Sequence, residues 1–377
     1  MLRVLCLAIV LAVAAMSVAH ADTIKIGAVF SVTGPASFLG APEKNTAVML
    51  VEQINAKGGL LGKQVELVVY DDESNVNKCV LNTDRLLKRD QVIAVVGPSI
   101  SGNTLAIKPK FAQAKVPLVS CAAAEKIVNP LSPWVFKTPQ SDRHAATKLL
   151  EHAKAHGFKK IAVITVSDGY GQAGRAVLQE LIPGIGLDLV ADEVYGPSDT
   201  DMTAQLTKIK SLAPDAIVCW GTNPGPAVIA RNRVQLGITT PLYMSHGVAS
   251  KKFIELAGSA SEGIMLPAGR LSVAAALPAD NKQKPVLDAY IKDYETKYQM
   301  PISTFGGYAY DGLMLLVKAI EMGKSAEPAA IRDNLEKIAG FVATSGIFTF
   351  SATDHNGLDT SAFEMVTIEK GDWKIIK

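Results

Sequence analysis

Runs of β-branched and aliphatic residues alternate along this chain with stretches whose apolar positions fall three and four apart, and short turns of small or hydroxyl-bearing residues separate them. The pattern is tightest at residues 92–124, VIAVVGPSISGNTLAIKPKFAQAKVPLVSCAAA. Residues 92–96 read as a buried strand that stops at Gly97-Pro98, and Ser99, Ser101, Gly102, Asn103 and Thr104 are residue types that open a helix. A second run at 116–119 ends in Ser120-Cys121-Ala122-Ala123-Ala124. Two parallel strands set these two loops side by side, at the sheet edge where open parallel sheets bind ligands.

The same reading extends over the rest of the chain. Residues 23–30 predict a strand, 31–40 a loop, 42–57 a helix stopped by Gly58-Gly59, 65–70 a strand closed by Asp71-Asp72, and 76–89 a helix. With 92–124 this makes a doubly wound parallel unit. The Pro- and aromatic-rich segment 133–141 breaks the rhythm and marks a crossing between domains. Helices at 143–156, 171–181, 202–212, 225–236 and 251–256 then alternate with strands at 161–166, 187–194, 216–219, 242–244 and 264–267. Helices at 286–298, 308–322 and 329–338 return to the first unit, and the alternating segments 346–351, 363–369 and 373–376 are closing strands. The predicted fold class is α/β, with two doubly wound parallel-sheet lobes joined by a three-crossover hinge. Lobe I covers 22–141 plus 268–362, and lobe II covers 142–267 plus 363–377. No close internal sequence repeat accompanies the two halves, and three crossovers make a hinge.

Composition narrows the setting. Residues 1–21 carry one basic residue, Arg3, an apolar core and small residues at Ala19 and Ala21, the pattern of a signal peptide cleaved after Ala21. The remainder is expected to be an exported, soluble protein. With 38 basic and 36 acidic residues, the charge is near balance and does not point to nucleic acid. Cys79, Cys121 and Cys219 lie beyond the signal segment, an odd number that allows one disulfide at most, Cys79 with Cys121 or none. No G-x-S-x-G, H-E-x-x-H or C-x-x-C occurs, so neither a hydrolase nor a metal centre has support, and no cofactor is expected. Gly169 to Gly174, GYGQAG, matches a dinucleotide fingerprint in letters, with Asp192 downstream. The intervening Ser167-Asp168 moves it away from the strand end, so an NAD-linked enzyme is only a rival reading.

The segments IGAVFSVTGPASFLG, VEQINAKGGLLGK, VVYDDES, VVGPSISGNT, VPLVSCAAA, VITVSDGYGQAG, VCWGTNPGPA, SHGVASKKFI and TFGGYAYDGLML, in this order, resemble the leucine/isoleucine/valine-binding proteins. Those are type I periplasmic solute-binding proteins of ABC importers, and the resemblance runs over nearly the whole chain after residue 21. It implies a protein with no enzymatic activity. It further implies a monomer in the periplasm whose lobes close on a small ligand and present it to permease subunits in the inner membrane. Carried over by position, the family's carboxylate-binding serine falls on Ser101, its neighbours on the next loop on Ala122 and Ala124, its second-lobe tyrosine on Tyr170, and a further wall position on Thr222.

The departures carry the ligand argument. Where the family has a threonine this chain has Ala124, and where it has the glutamate that pairs with the ligand's ammonium this chain has His246. Leu39 and Thr222 stand in place of two tyrosines. An ammonium buried without a counter-charge is costly, so the expected ligand is a carboxylate with no required α-ammonium. An amino acid is the alternative if Asp168 or Asp311 replaces the missing acid. His246 either hydrogen-bonds a second polar group, such as a phenol or a carboxylate, or only packs in the cleft. Phe38 and Trp220 are aromatic candidates for the apolar walls, with Phe305 and Tyr308 weaker ones.

Overall fold

The computed structural model describes residues 23–376; the signal-peptide segment lies outside the described residues. Lobe I is built on a five-stranded, wholly parallel sheet. Its strands are β1 (Ile24–Phe30), β2 (Val65–Asp71), β3 (Ala94–Val96), β4 (Leu118–Ser120) and β5 (Val135–Lys137), in the order β2-β1-β3-β4-β5. Ile26, Ala28, Phe30, Val96 and Val119 are buried in one core cluster, and Val29, Val95 and Leu118 in another. A strand covered on both faces needs apolar residues at successive positions, and this is why these runs show no alternation. Helices α1 (Ser37–Ala56), α2 (Val76–Asp84) and α3 (Ser101–Ala114) connect the strands.

The second sheet takes over with α4 (Asp142–Ala155), β6 (Lys160–Val166), α5 (Gly169–Gly184), β7 (Asp188–Tyr195), α6 (Thr203–Ser211) and β8 (Ala216–Trp220). It continues through α7 (Gly225–Gln235), β9 (Leu242–Met244), α8 (Lys251–Ala257) and β10 (Met265–Gly269). The chain then forms α9 (Lys284–Tyr298), α10 (Thr304–Gly323), α11 (Pro328–Leu335) and a small hairpin, β11 (Phe341–Val342) with β12 (Ile347–Phe348). α10 supplies Leu313, Leu316 and Ile320 to the same core as β1 and α1. β13 (Phe363–Glu369) and β14 (Asp372–Ile376) add antiparallel to β10, so the second sheet is mixed, in the order β14-β13-β10-β9-β8-β6-β7.

From β6 to β10 the second sheet repeats the strand order of the first. Both have the doubly wound arrangement in which the order reverses beside the first strand, and that reversal opens a crevice at the carboxyl edge.

Three details differ from the sequence reading. Residues 133–141 hold strand β5 as well as the crossing, because Val135 and Phe136 are fully buried beside β4 and Phe350, just past β12, packs edge-on against Phe136. α1 begins at Ser37, so Phe38, Leu39 and Gly40 are helical instead of lying in a loop. The alternating segment 346–351 contributes only the two-residue β12, since its partner is a hairpin and not a main sheet.

Candidate functional site

The carboxyl edges of the two sheets face each other across a cavity of about 590 Å³. Every strand from β1 to β4 and from β6 to β9 sends a loop or helix start to its wall. The lobes stand in contact at its rim, where a Cβ added to Gly169 would come within 2.9 Å of the Gly102 Cα. Two glycines meeting across the cleft allow the helix starts of α3 and α5 to approach to backbone distance.

On the lobe I side, α3 starts at Ser101 with Ile100 as its cap and no side chain capping it. The first helical amide bond is that of Thr104 to the Ile100 carbonyl, so the amides of Ser101, Gly102 and Asn103 lie ahead of it at the positive end of the helix dipole. The Ala124 amide donates to Ser101 Oγ at 3.2 Å. That bond uses an acceptor site of the hydroxyl and leaves its hydrogen free to donate, which suits an anion. Ala124 therefore acts through its backbone behind Ser101, and its side chain does not line the cavity. Ala122 does line it, with its amide bound to Ser120 Oγ at 3.1 Å.

Buried polar groups hold this wall in place. Asp72 accepts hydrogen bonds from Ser31 Oγ at 2.7 Å and Asn103 Nδ2 at 2.7 Å. Ser99 receives the Ser31 amide at 3.0 Å and donates to Glu43, whose carboxyl burial pushes well above its usual range. Lys137, fully buried, donates to the Ala123 and Pro139 carbonyls at 3.1 and 2.8 Å, while Asp142 accepts the Glu125 amide at 3.2 Å. Burial moves the Lys137 ammonium down and the Asp142 carboxyl up, and the opposite charge of each partly restores the other.

On the lobe II side, α5 is capped by Asp168, whose Oδ1 accepts the Tyr170 and Gly171 amides at 2.9 and 2.8 Å. These are the amides a dinucleotide phosphate would need, and a carboxylate already holds them. The other fingerprint glycines have packing reasons: a Cβ on Gly171 would lie 1.8 Å from the Val166 carbonyl oxygen, and one on Gly174 2.1 Å from Trp220 Nε1. Tyr170, Thr222 and His246 line the cavity, with Leu39 facing them from lobe I. His246 is 2% exposed, with Nδ1 3.4 Å from the Tyr170 hydroxyl. Burial, with Lys137 and His144 nearby, pushes its pKa down to about 3, so the ring is neutral.

The structure does not bring every candidate to the wall. Trp220 is fully buried, with its ring 6.0 Å from those of Tyr170 and His246, so it backs the lining rings without facing the cavity. Phe38, half-buried at the start of α1 and absent from the lining, packs edge-on against Phe305 at 5.6 Å and supports the wall through it. Phe305 and Tyr308 line the cavity directly. Of the two substitute acids, Asp168 lines the cavity; Asp311 is sealed away, accepting the Thr344 and Ser345 amides at 2.7 and 2.8 Å. Tyr195 and Asn223 also line it and had no place in the sequence reading. Both stand at the carboxyl end of a strand, and applying the strand-end rule to β7 and β8 would have found them.

Among the described residues no lysine or arginine lines the cavity, and no group of three His, Cys, Asp or Glu side chains could hold a metal ion. Cys79, Cys121 and Cys219 are buried free thiols. No helix among the described residues is long and apolar enough to cross a membrane.

A family model described as Periplasmic binding protein matches residues 23–372. The chain is 27% identical over 348 residues to the leucine-, isoleucine-, valine-, threonine- and alanine-binding protein of Pseudomonas aeruginosa, covering 91% of this chain and 90% of that one. Among solved structures it is similar to an extracellular ligand-binding receptor from Rhodopseudomonas palustris, with a TM-score of 0.88 and 30% identity, covering 94% of this chain and 99% of that one. A branched-chain amino acid transporter substrate-binding protein from Streptococcus pneumoniae, solved with isoleucine, matches at a TM-score of 0.82 and 28% identity, over 94% and 98% of the two chains.

Proposed function

This chain belongs to the periplasmic binding protein family, and on that premise we propose that it is the substrate-binding component of an ABC importer. In this reading it works in the periplasm as a monomer, closes its lobes on a small carboxylate without an α-ammonium, such as an aromatic or short aliphatic acid, and delivers it to an inner-membrane permease. Binding and release are its whole task. The uncapped start of α3 and the Ser101 hydroxyl would hold the carboxylate. Hydrogen bonds to a charged group contribute about 1.5 to 3 kcal/mol each, so two or three supply much of a micromolar affinity of about 8 kcal/mol.

The observation that carries the ligand class is His246. It is neutral and buried at the position where the resemblance places a glutamate, and a neutral imidazole cannot pay the desolvation of an ammonium. A second reading, an amino-acid ligand, draws on Asp168, which lines the cavity, and on the ligands named for the relatives. Two backbone amides already offset the Asp168 charge, and this favours the first reading. Calorimetric titration with benzoate, phenylacetate, leucine and valine decides between them. Binding of the aromatic acids with the amino acids inert is the expected result; tight leucine or valine binding with the acids inert overturns it.

A further inference from the structure

The turn after β8 in lobe II occupies the place in its sheet that the Ser99–Ser101 turn occupies after β3 in lobe I, because the two sheets share one strand order. Their chemistry differs. At the lobe II turn, α7 starts at Gly225, residue 226 is proline, and the Ala227 amide is already bound to the Pro224 carbonyl. Only the Gly225 amide remains, which is a poor grip for an anion. The turn instead carries Asn223, which is 6% exposed and lines the cavity, and neither Oδ1 nor Nδ2 of its side chain has a hydrogen-bond partner. The Tyr195 hydroxyl beside the turn is likewise buried with only the Cys219 thiol, a weak hydrogen-bonding group, as its partner, and it sits so close to Gly221 that a Cβ there would come within 2.1 Å. Buried carboxamides and phenols in native folds are nearly always paired.

We propose that Asn223 and Tyr195 form a second polar subsite, which reads a hydroxyl group at the end of the ligand remote from its carboxylate. A carboxamide offers both N–H donors and a carbonyl acceptor, and a hydroxyl, which both donates and accepts, can pair with each group. A second carboxylate answers only the donor and would meet the Asp168 carboxylate, which acts on Tyr195 through its charge. A cavity of about 590 Å³ leaves room for a ligand that reaches from one turn to the other. The subsite thus selects monoanionic hydroxy acids over both their deoxy analogues and dicarboxylates.

This inference rests on the carboxylate reading for one end of the ligand, and its test separates the two. Calorimetry on the full chain with three matched pairs, 4-hydroxyphenylacetate and phenylacetate, tyrosine and phenylalanine, threonine and valine, measures the hydroxyl preference in each ligand class. Within the class that binds, the hydroxylated member is expected to bind about ten-fold tighter or more, since the deoxy analogue leaves buried groups unpaired. Asn223→Leu should bring that ratio to about one, and Tyr195→Phe should reduce it. Asn223 makes no hydrogen bond that the fold needs, so the leucine variant should fold. A wild-type protein without hydroxyl preference, or a preference that Asn223→Leu leaves unchanged, overturns the subsite. A preference seen only among the amino acids keeps the subsite and overturns the carboxylate reading, and no binding by any pair overturns both.

Discussion

The two walls of the cleft are made from the same strand order and yet differ in how completely their polar groups are satisfied. Among the described residues, no lobe I residue of the cavity wall has a buried side-chain atom without a partner, whereas in lobe II both amide atoms of Asn223 lack one and the Tyr195 hydroxyl has only the Cys219 thiol. Lobe I holds Ser101 and the amides of α3 ready by means of Asp72, Ser99, Lys137 and the Ala124 amide. An anion needs its donors in place before it loses water, because reorganising them on binding costs affinity. Lobe II leaves the Asn223 amide for a ligand to pair, and in the proposed reading this is the wall that discriminates among ligands lobe I would hold alike.

In the proposed function closure brings the walls together, and breaking it should have the largest effect. Gly169→Val places a side chain against the Gly102 backbone; ligand affinity is predicted to fall about a hundred-fold or more, as the closed state loses population. Calorimetry paired with small-angle scattering would check this, and an unchanged affinity would mean the lobes need not meet. His246→Glu sharpens the contrast from the other wall. A buried carboxylate without a partner costs about 3 to 5 kcal/mol, so binding of simple acids should be lost while amino acids gain, as read by thermal shift with both ligand classes. If neither class changes, His246 does not sense the ligand.

Ser101→Ala removes one charge-assisted bond from the lobe I wall. It is predicted to weaken carboxylate binding by about 1.5 to 3 kcal/mol, with a corresponding amide analogue of the ligand affected less. An equal loss for acid and amide would show that Ser101 is not reading charge. The smallest effect expected is on stability. The folded pKa of His246 is about 3 against an ordinary 6.5, so below pH 6.5 the unfolded chain takes up a proton that the folded one refuses. Stability then falls with pH through that window, by about 2 kcal/mol on reaching pH 5. Melting curves of the wild type and His246→Gln between pH 7.5 and 5 should converge by that amount, and parallel curves would show that the ring is accessible to protons.

Hydrophobic runs and glycine stops were enough to read the α/β alternation, the doubly wound lobes and the loop pair around Ser101 and Ala122 from the chain, because each depends on neighbours in sequence. The resemblance, in turn, implied an acid at the position where this chain has His246. Which side of a residue faces the cavity is a different kind of fact. Trp220 and Phe38 looked like lining residues by position, but the tertiary packing turned one beneath α5 and the other behind Phe305. Strand β5 stayed hidden because its burial depends on β4 and on Phe350, which the chain brings in from far along the sequence. The state of His246 and the unpaired amide of Asn223 came from the tertiary structure alone. Burial and hydrogen-bond pairing are properties of groups brought together from distant parts of the chain, and they exist only after the sheets have formed and closed on each other.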